Sequence, residues 1–194
     1  MSFSRSVSSR AAAVAAALGA LLLVAAPQPA RPAKLNALDV KAGMIGKIAE
    51  FVRWPASMGL GDPDRPFEFV ILGQTSLEPH LVRYYRQVRI GGHRVFLRRA
   101  KDLSDVGQPH LLFIAGSLED DLERIVGSLK NTPVLTVGDT EGFAERGVAI
   151  NLYMADDQVR FEVSRPALQR HQLEASYHLL TLAKLVGDQQ QAKR

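Results

Sequence analysis

The sequence predicts an α/β protein: a three-layer α/β/α sandwich on a mostly parallel sheet, with an antiparallel ribbon at its C-terminal edge. Three observations carry that prediction. Phe67–Leu72, Leu111–Gly116 and Pro133–Val137 are short, nearly unbroken apolar runs, the pattern of strands covered on both faces. Between them lie segments whose apolar residues recur at helical spacing. Strands that alternate with helices imply a mostly parallel sheet held between helical layers.

The elements follow in order. After a proline-rich stretch, Val40, Met44, Ile45, Ile48, Phe51 and Val52 fall on one face of a helix. That helix should end before Pro55, because the residue preceding a proline avoids helical dihedrals. Residues 58–66 read as a Gly/Asp/Pro loop. Beyond the strand Phe67–Leu72, Thr75 or Ser76 is placed to cap a helix, with Glu78 completing a capping box from Thr75. Leu77, Leu81, Tyr84, Tyr85 and Val88 supply its apolar face. Gly91-Gly92 turns the chain, and Val95 and Leu97 alternate with Arg94 and Arg98 as a strand would.

The unit then repeats in kind. Leu111–Gly116 is a buried strand, and Ser117 caps a helix with Asp120 three residues on. Leu118, Leu122, Ile125, Val126 and Leu129 form its buried face, and Asn131 closes it. After the strand Pro133–Val137, Asp139-Thr140-Glu141 reads as the start of a short helix. Val148 to Val163 is a ribbon at one edge, its loop carrying Asp156 and Asp157. Alternation turns Phe161 and Val163 toward the core and Arg160 and Glu162 outward. A last helix is expected from Ser176 to Val186, using Leu179, Leu182, Ala183 and Val186.

Bulk composition bounds the organisation. A chain of 194 residues with 46% hydrophobic content buries one sizeable core. Arg5 and Arg10 precede an unbroken small or apolar run from Ala11 to Ala26, and Pro27, Pro29 and Pro32 follow. That is the layout of an export signal, and the run is shorter than the roughly 20 residues of a membrane span. Val24-Ala25-Ala26 fits a cleavage site but is followed by Pro27, so an uncleaved anchor stays open. Residues 1–30 are therefore a signal peptide or anchor, 31–38 a linker, 39–187 one domain and 188–194 a polar tail. Cysteine is absent, which excludes disulfides, thiolate catalysis, cysteine metal ligands and lipid attachment to a thiol.

The familiar chemical motifs fail one by one. Gly73-Gln74-Thr75-Ser76 lies where a doubly wound domain binds phosphate, yet it has one glycine and no dinucleotide or Walker pattern. Gly116-Ser117 follows a strand without the G-x-S-x-G frame of a nucleophile elbow. His80, His93, His110, His171 and His178 show no metal-ligand spacing. His80 shares a helix face with Arg83 and Arg86 and reads as exposed. No catalytic residue, metal or cofactor is expected.

Charge is more telling. From Ala30 onward the chain carries 22 basic and 20 acidic residues, so its high pI is no argument for a nucleic-acid partner. Pro79 to Lys101 holds no acid but seven of those bases, leaving 15 basic against 20 acidic elsewhere. Such lopsidedness reads either as an ordinary solvated face or as a docking patch for an acidic partner or anionic lipid. Trp54, the sole tryptophan, reads as a plug between the first helix and the sheet, or as the lining of a pocket or interface.

Several local patterns occur in a particular order: Phe51-Val52-Arg53-Trp54-Pro55, Pro66-Phe67, His110-Leu111-Leu112-Phe113-Ile114, then Thr136-Val137-Gly138-Asp139 with Gly142-Phe143-Ala144. Ile150-Asn151, Arg160-Phe161-Glu162 and Leu179-Leu180 complete the series. Together, from about Asp39 to Val186, they resemble the YfiR family, small periplasmic proteins that restrain a membrane-bound diguanylate cyclase. The resemblance implies a compact α/β/α fold, export to the periplasm and no catalysis. It implies binding to the periplasmic sensor domain of an inner-membrane diguanylate cyclase or other sensor protein, self-association as a homodimer, and relief of repression by an outer-membrane lipoprotein. Trp54, Arg83, Arg86, Arg98, Arg160 and Glu162 are the residues expected to bind the partner.

The chain departs from the family pattern in three places. It has no cysteines, so redox sensing through disulfides cannot operate. Leu152 stands where an aromatic residue is common, and Arg146-Gly147 replaces a paired glycine. A reading from a different class is a periplasmic small-molecule sensor, with its ligand at the strand ends near Gly73 and Gly138. A hydrolase would need a nucleophile–base pair, which the sequence does not supply.

Overall fold

The computed structural model describes residues 36–187. The expected export segment, most of the linker and the polar tail lie outside them. No helix among the described residues is long and apolar enough to cross a membrane.

Helix α1 (Ala37–Glu50) begins where Asn36 accepts the Leu38 N–H at 3.0 Å, with Asp39 in the first turn, where an acid favours the helix dipole. Ala42, Ile45, Ile48 and Ala49 are its buried face. The helix stops at Glu50, earlier than its periodicity suggests. Phe51 is left exposed, and Val52–Arg53 (β1) pairs antiparallel with Glu174–Ala175 (β9) in a separate two-stranded ribbon.

Strand β2 (Phe67–Leu72) and helix α2 (Glu78–Tyr85) lie where expected, but the capping box does not form. Thr75 Oγ1 accepts the Leu77 N–H at 3.1 Å, while Glu78 pairs with Arg99. Val88 falls beyond the helix and is exposed. Strands β3 (Arg89–Ile90) and β4 (His93–Ala100) form a hairpin on Gly91 and Gly92, both at positive φ, which a tight hairpin turn demands.

After β5 (Leu111–Ile114) the chain takes a 3-10 turn over Gly116–Asp121 before α3 (Leu122–Ser128). Ser117 caps neither; its Oγ accepts the Gln74 N–H at 2.8 Å and ties the turn after β5 to the end of β2. Asn131, at φ 63°, closes the segment before β6 (Leu135–Gly138). Residues 139–147 hold no helix, and 141–147 are consecutive turns. Strands β7 (Ile150–Ala155) and β8 (Gln158–Ser164) form the ribbon, turning on Asp156 and Asp157 at positive φ.

The C-terminal part differs most from expectation. Helix α4 (Arg165–Arg170) and β9 precede a short α5 (Tyr177–Leu182), which Ser176 caps at Leu179 N–H. Ala183 is extended, and Lys184–Val186 becomes β10, pairing parallel with β8. Hydrogen bonding to β8 ends the helix, so the ribbon is not the sheet edge.

The main sheet runs β10-β8-β7-β6-β5-β2-β4-β3. Only β3–β4 and β7–β8 are antiparallel, so the mostly parallel α/β reading holds. Period-two alternation sorts the core. Phe69, Ile71, Leu111, Phe113, Leu135 and Val137 pack beneath α1, α2, α4 and α5. Val70, Leu72, Leu112 and Ile114 meet α3, Phe143 and Val148 on the other face.

Candidate functional site

The six residues expected to bind a partner are not brought together. Arg83, Arg86 and Arg98 belong to the β4–β3 end of the sheet, whereas Arg160 and Glu162 lie on β8 near the opposite edge. Trp54 stands apart, just after β1.

Trp54 serves both roles considered for it. Its indole N–H donates to the His110 carbonyl at 3.2 Å and its ring meets Phe67 edge-on, which closes α1 against the sheet. It also lines a cavity of about 440 Å³, with Ala49, Val52, Leu60, Phe67 and Ile90 as its apolar walls. Beneath it His110 is fully buried. The Glu68 N–H donates to His110 Nδ1 at 2.9 Å, so Nε2 carries the proton and donates to the Met58 carbonyl at 3.1 Å. Burial holds this imidazole below its ordinary pKa.

The arginine-rich segment divides by engagement. Arg83 and His80 both contact Asp39 on α1, so His80 is partly buried where exposure was expected. Those hydrogen bonds, from His80 first and then Arg83, lower the Asp39 pKa. Arg98 donates to the carbonyls of Asp105 and Val106 at 2.9 and 2.7 Å and so fastens the loop after β4. Arg99 is taken by Glu78. By contrast Arg86 and Arg94 are exposed, and their guanidiniums make no hydrogen bond or ion pair among the described residues.

Arg94 sits directly opposite Arg89 across the β3–β4 hairpin, an arrangement that costs stability. Phe96, 55% exposed, lies two residues along the same face of β4. Phe96 belongs to no motif, and its register with Arg94 and Arg98 against Val95 and Leu97 is the one signal in the sequence that turns it outward.

Glu162 corrects a prediction. Alternation does place it on the sheet face opposite Phe161 and Val163, but it is only 6% exposed, because the turns over 141–147 cover that face. It accepts from Lys184 Nζ at 2.7 Å and from Asn151 Nδ2 at 3.3 Å. Together with Lys41, Asp139, Glu141, Glu145 and Tyr153 these residues line a polar cavity of about 450 Å³. Arg160, two residues earlier, is exposed and 3.9 Å from Asp156. Lys41 and Lys184 carry no local signal, because their acidic partners lie 98 and 22 residues away in the chain.

Neither Gly73 nor Gly138 lines either large cavity. A Cβ at Gly73 would strike Ser117 and Leu118, so that strand end is closed by packing; one at Gly138 would strike Phe143, but its neighbours Asp139 and Asn151 line the polar cavity. Among the described residues no group of three or more His, Cys, Asp or Glu could hold a metal ion.

The mixed sheet thus carries a basic edge, a cavity lined by Trp54 and Phe67, and a separate polar cavity. The chain belongs to the YfiR/HmsC-like family, whose model matches residues 38–184. No curated protein matches it. Among solved structures it is similar to a conserved domain protein from Vibrio cholerae, at 10% identity and TM-score 0.54, over 78% of this chain and 60% of that one. It is similarly close to the ABC domain in complex with L-Trp from Streptococcus pneumonia, at 7% identity and TM-score 0.53, over 78% of this chain and 61% of that one. The chain thus spans less than two thirds of either structure, and the likeness is one of fold.

Proposed function

We propose that the chain is a non-catalytic periplasmic regulator that binds the sensor domain of an inner-membrane diguanylate cyclase and holds it inactive. Membership of the YfiR/HmsC-like family carries this reading. Repression of this kind needs only a higher affinity for the inactive conformation than for the active one.

The surface best suited to an acidic partner is the β3–β4 edge. Arg86 and Arg94 are unengaged there and Phe96 is exposed, the aromatic and arginine composition typical of binding hot spots. Trp54 and, near the opposite edge of the sheet, Arg160 are further contacts in this proposal, while Arg83 and Arg98 hold the basic edge in shape from within. Self-association as a homodimer belongs to the same reading and is supported by the β10 edge, where Leu182 and Leu185 are exposed. An outer-membrane lipoprotein that sequesters the regulator would relieve repression.

Deleting the gene should raise cellular cyclic-di-GMP and thicken biofilm; unchanged levels would count against the cyclase as target. Converting Arg86 and Arg94 together to Glu should weaken binding to the cyclase's periplasmic domain about tenfold or more at low salt. Equal affinity with an unaltered salt dependence would remove the basic edge from the interface.

A further inference from the structure

The cavity beside Trp54 has the dimensions of a small-ligand site, at about 440 Å³. Trp54 and Phe67 stand nearly perpendicular in its wall, their ring centroids 5.6 Å apart. A third ring can stack on one of them and meet the other edge-on. Both are held in place, since the Trp54 N–H donates to the His110 carbonyl and the His110 ring stacks on Phe67 at 5.0 Å. Walls fixed before binding lose little freedom on occupation. Ala49, Val52, Leu60 and Ile90 complete the apolar lining.

His93 supplies the polar contact. It lines the same cavity and is only 8% exposed. Its Nδ1 lies 2.9 Å from the Arg65 carbonyl oxygen and donates to it, so in the neutral ring Nε2 is an acceptor. The opposite ring edge, which bears Nε2, is turned to the cavity lining. Cδ2, the atom beside Nε2, lies 3.9 Å from the Cβ position of Gly91, itself a lining residue. Nε2 has no partner among the described residues. The unpartnered side-chain atoms sealed from contact among those residues are Asn151 Oδ1 and His171 Nε2, so His93 Nε2 keeps accessible surface. The charged residues in the lining are already balanced, Glu50 by Lys47 at 2.8 Å and Arg53 by Glu174 at 2.9 Å.

We infer that this cavity binds a small uncharged aromatic molecule bearing an O–H or N–H donor. Its ring packs in the corner between Trp54 and Phe67, and its donor bonds His93 Nε2. An anion is disfavoured, because it meets an acceptor there and no unpaired cation in the lining. An aromatic molecule without a donor covers Nε2 and leaves it unpaired, which costs affinity. The inference goes beyond the regulatory reading and stands without it, because it makes no use of the cyclase.

Trp54 is the only tryptophan of the chain, so its fluorescence reports occupation of this cavity. The test titrates the full chain with p-propylphenol, with p-propylanisole, in which a methyl group replaces the hydroxyl proton, and with p-propylbenzoate as the anionic control. A saturable change in Trp54 emission, matched by calorimetry, is expected for the phenol. The anisole should bind about tenfold more weakly and the benzoate not at all. In His93→Phe the phenol and the anisole should bind alike. The ligand comparison is made on the unaltered protein, so it decides the matter even if His93→Phe fails to fold. No saturable binding of the phenol, equal affinity for phenol and anisole in the unaltered protein, a preference that survives His93→Phe, or tighter binding of the benzoate would each overturn the inference.

Discussion

Trp54 and His110 are joined by a hydrogen bond from the indole N–H to the backbone carbonyl, 3.2 Å long. That carbonyl also accepts the Leu135 N–H at 2.9 Å. Losing the indole N–H therefore does not orphan a buried acceptor. Trp54→Phe should cost only about 0.5–1.5 kcal/mol, whereas Trp54→Ala also empties the cavity wall against Phe67 and should cost about 2–3 kcal/mol. Urea unfolding of the two variants measures both. A cost above about 3 kcal/mol for Trp54→Phe would mean that the indole N–H does more than this geometry accounts for.

Acid should destabilise the fold through two buried histidines. His110 uses Nδ1 as an acceptor for the Glu68 N–H, so protonation destroys a buried hydrogen bond. His171 donates from Nδ1 to the Thr132 carbonyl at 3.0 Å, and its Nε2 is buried without a partner that could receive a proton. Burial lowers both pKa values below the ordinary 6.5. The unfolded chain then binds more protons than the folded one as pH drops below about 6.5. Stability is whole above that value and is lost downward, toward the depressed folded values. The slope is at most about 1.4 kcal/mol per pH unit for each histidine. Urea midpoints measured from about pH 7.5 to about pH 5.5 should fall, and by less in His110→Asn. A flat profile would contradict the assignment of both imidazoles as neutral.

The same geometry shows which parts of the fold were legible in the sequence. Strands β2 and β5 are apolar on both faces, and the alternation of Phe69 and Ile71 with Val70 and Leu72 assigns each face its own helical layer. Residues 165–186 were not legible, since α4, β9, α5 and β10 span two to six residues each and are too short to establish a period. Leu179, Leu182, Ala183 and Val186 suit a helix locally, yet pairing with β8 draws the last three residues of the segment into a strand. For Glu162, alternation named the correct face, but no local pattern shows that turns over 141–147 will cover it. The basic segment was visible as composition. Its division into engaged Arg83, Arg98 and Arg99 and unengaged Arg86 and Arg94 depends on contacts with Asp39, Glu78 and the 105–106 carbonyls.

Two helical glycines should respond to alanine with opposite signs. At Gly46 on α1, a Cβ would sit 2.7 Å from the Tyr85 hydroxyl, which is held in place by its bond to the Ala42 carbonyl at 2.8 Å. Gly46→Ala must push that buried ring aside, at a cost of about 1–3 kcal/mol. Gly127 on α3 is exposed and nothing lies within 4 Å of its Cβ position. Gly127→Ala should stabilise by about 0.5–1 kcal/mol, because glycine carries excess entropy in the unfolded chain. Thermal melts of both variants give the comparison, and a stabilising Gly46→Ala would refute the packing of α1 on α2.

The Glu162–Lys184 pair should be asymmetric. The Lys184 side chain is 58% exposed and that of Glu162 only 8%. Without Glu162 the ammonium returns to water at little cost, and Glu162→Gln keeps an oxygen to accept from Asn151 Nδ2. Without Lys184 a carboxylate stays in the cavity with Asn151 as its remaining hydrogen-bond donor. Lys184→Met should therefore cost about 1–3 kcal/mol and Glu162→Gln less than about 1 kcal/mol. In the double variant the penalty of the lysine change should largely disappear, because no charge is left stranded. A urea-unfolding double-mutant cycle reads this directly. Additive costs, or a larger cost for Glu162→Gln, would show that the carboxylate is solvated and that the turns over 141–147 do not seal it.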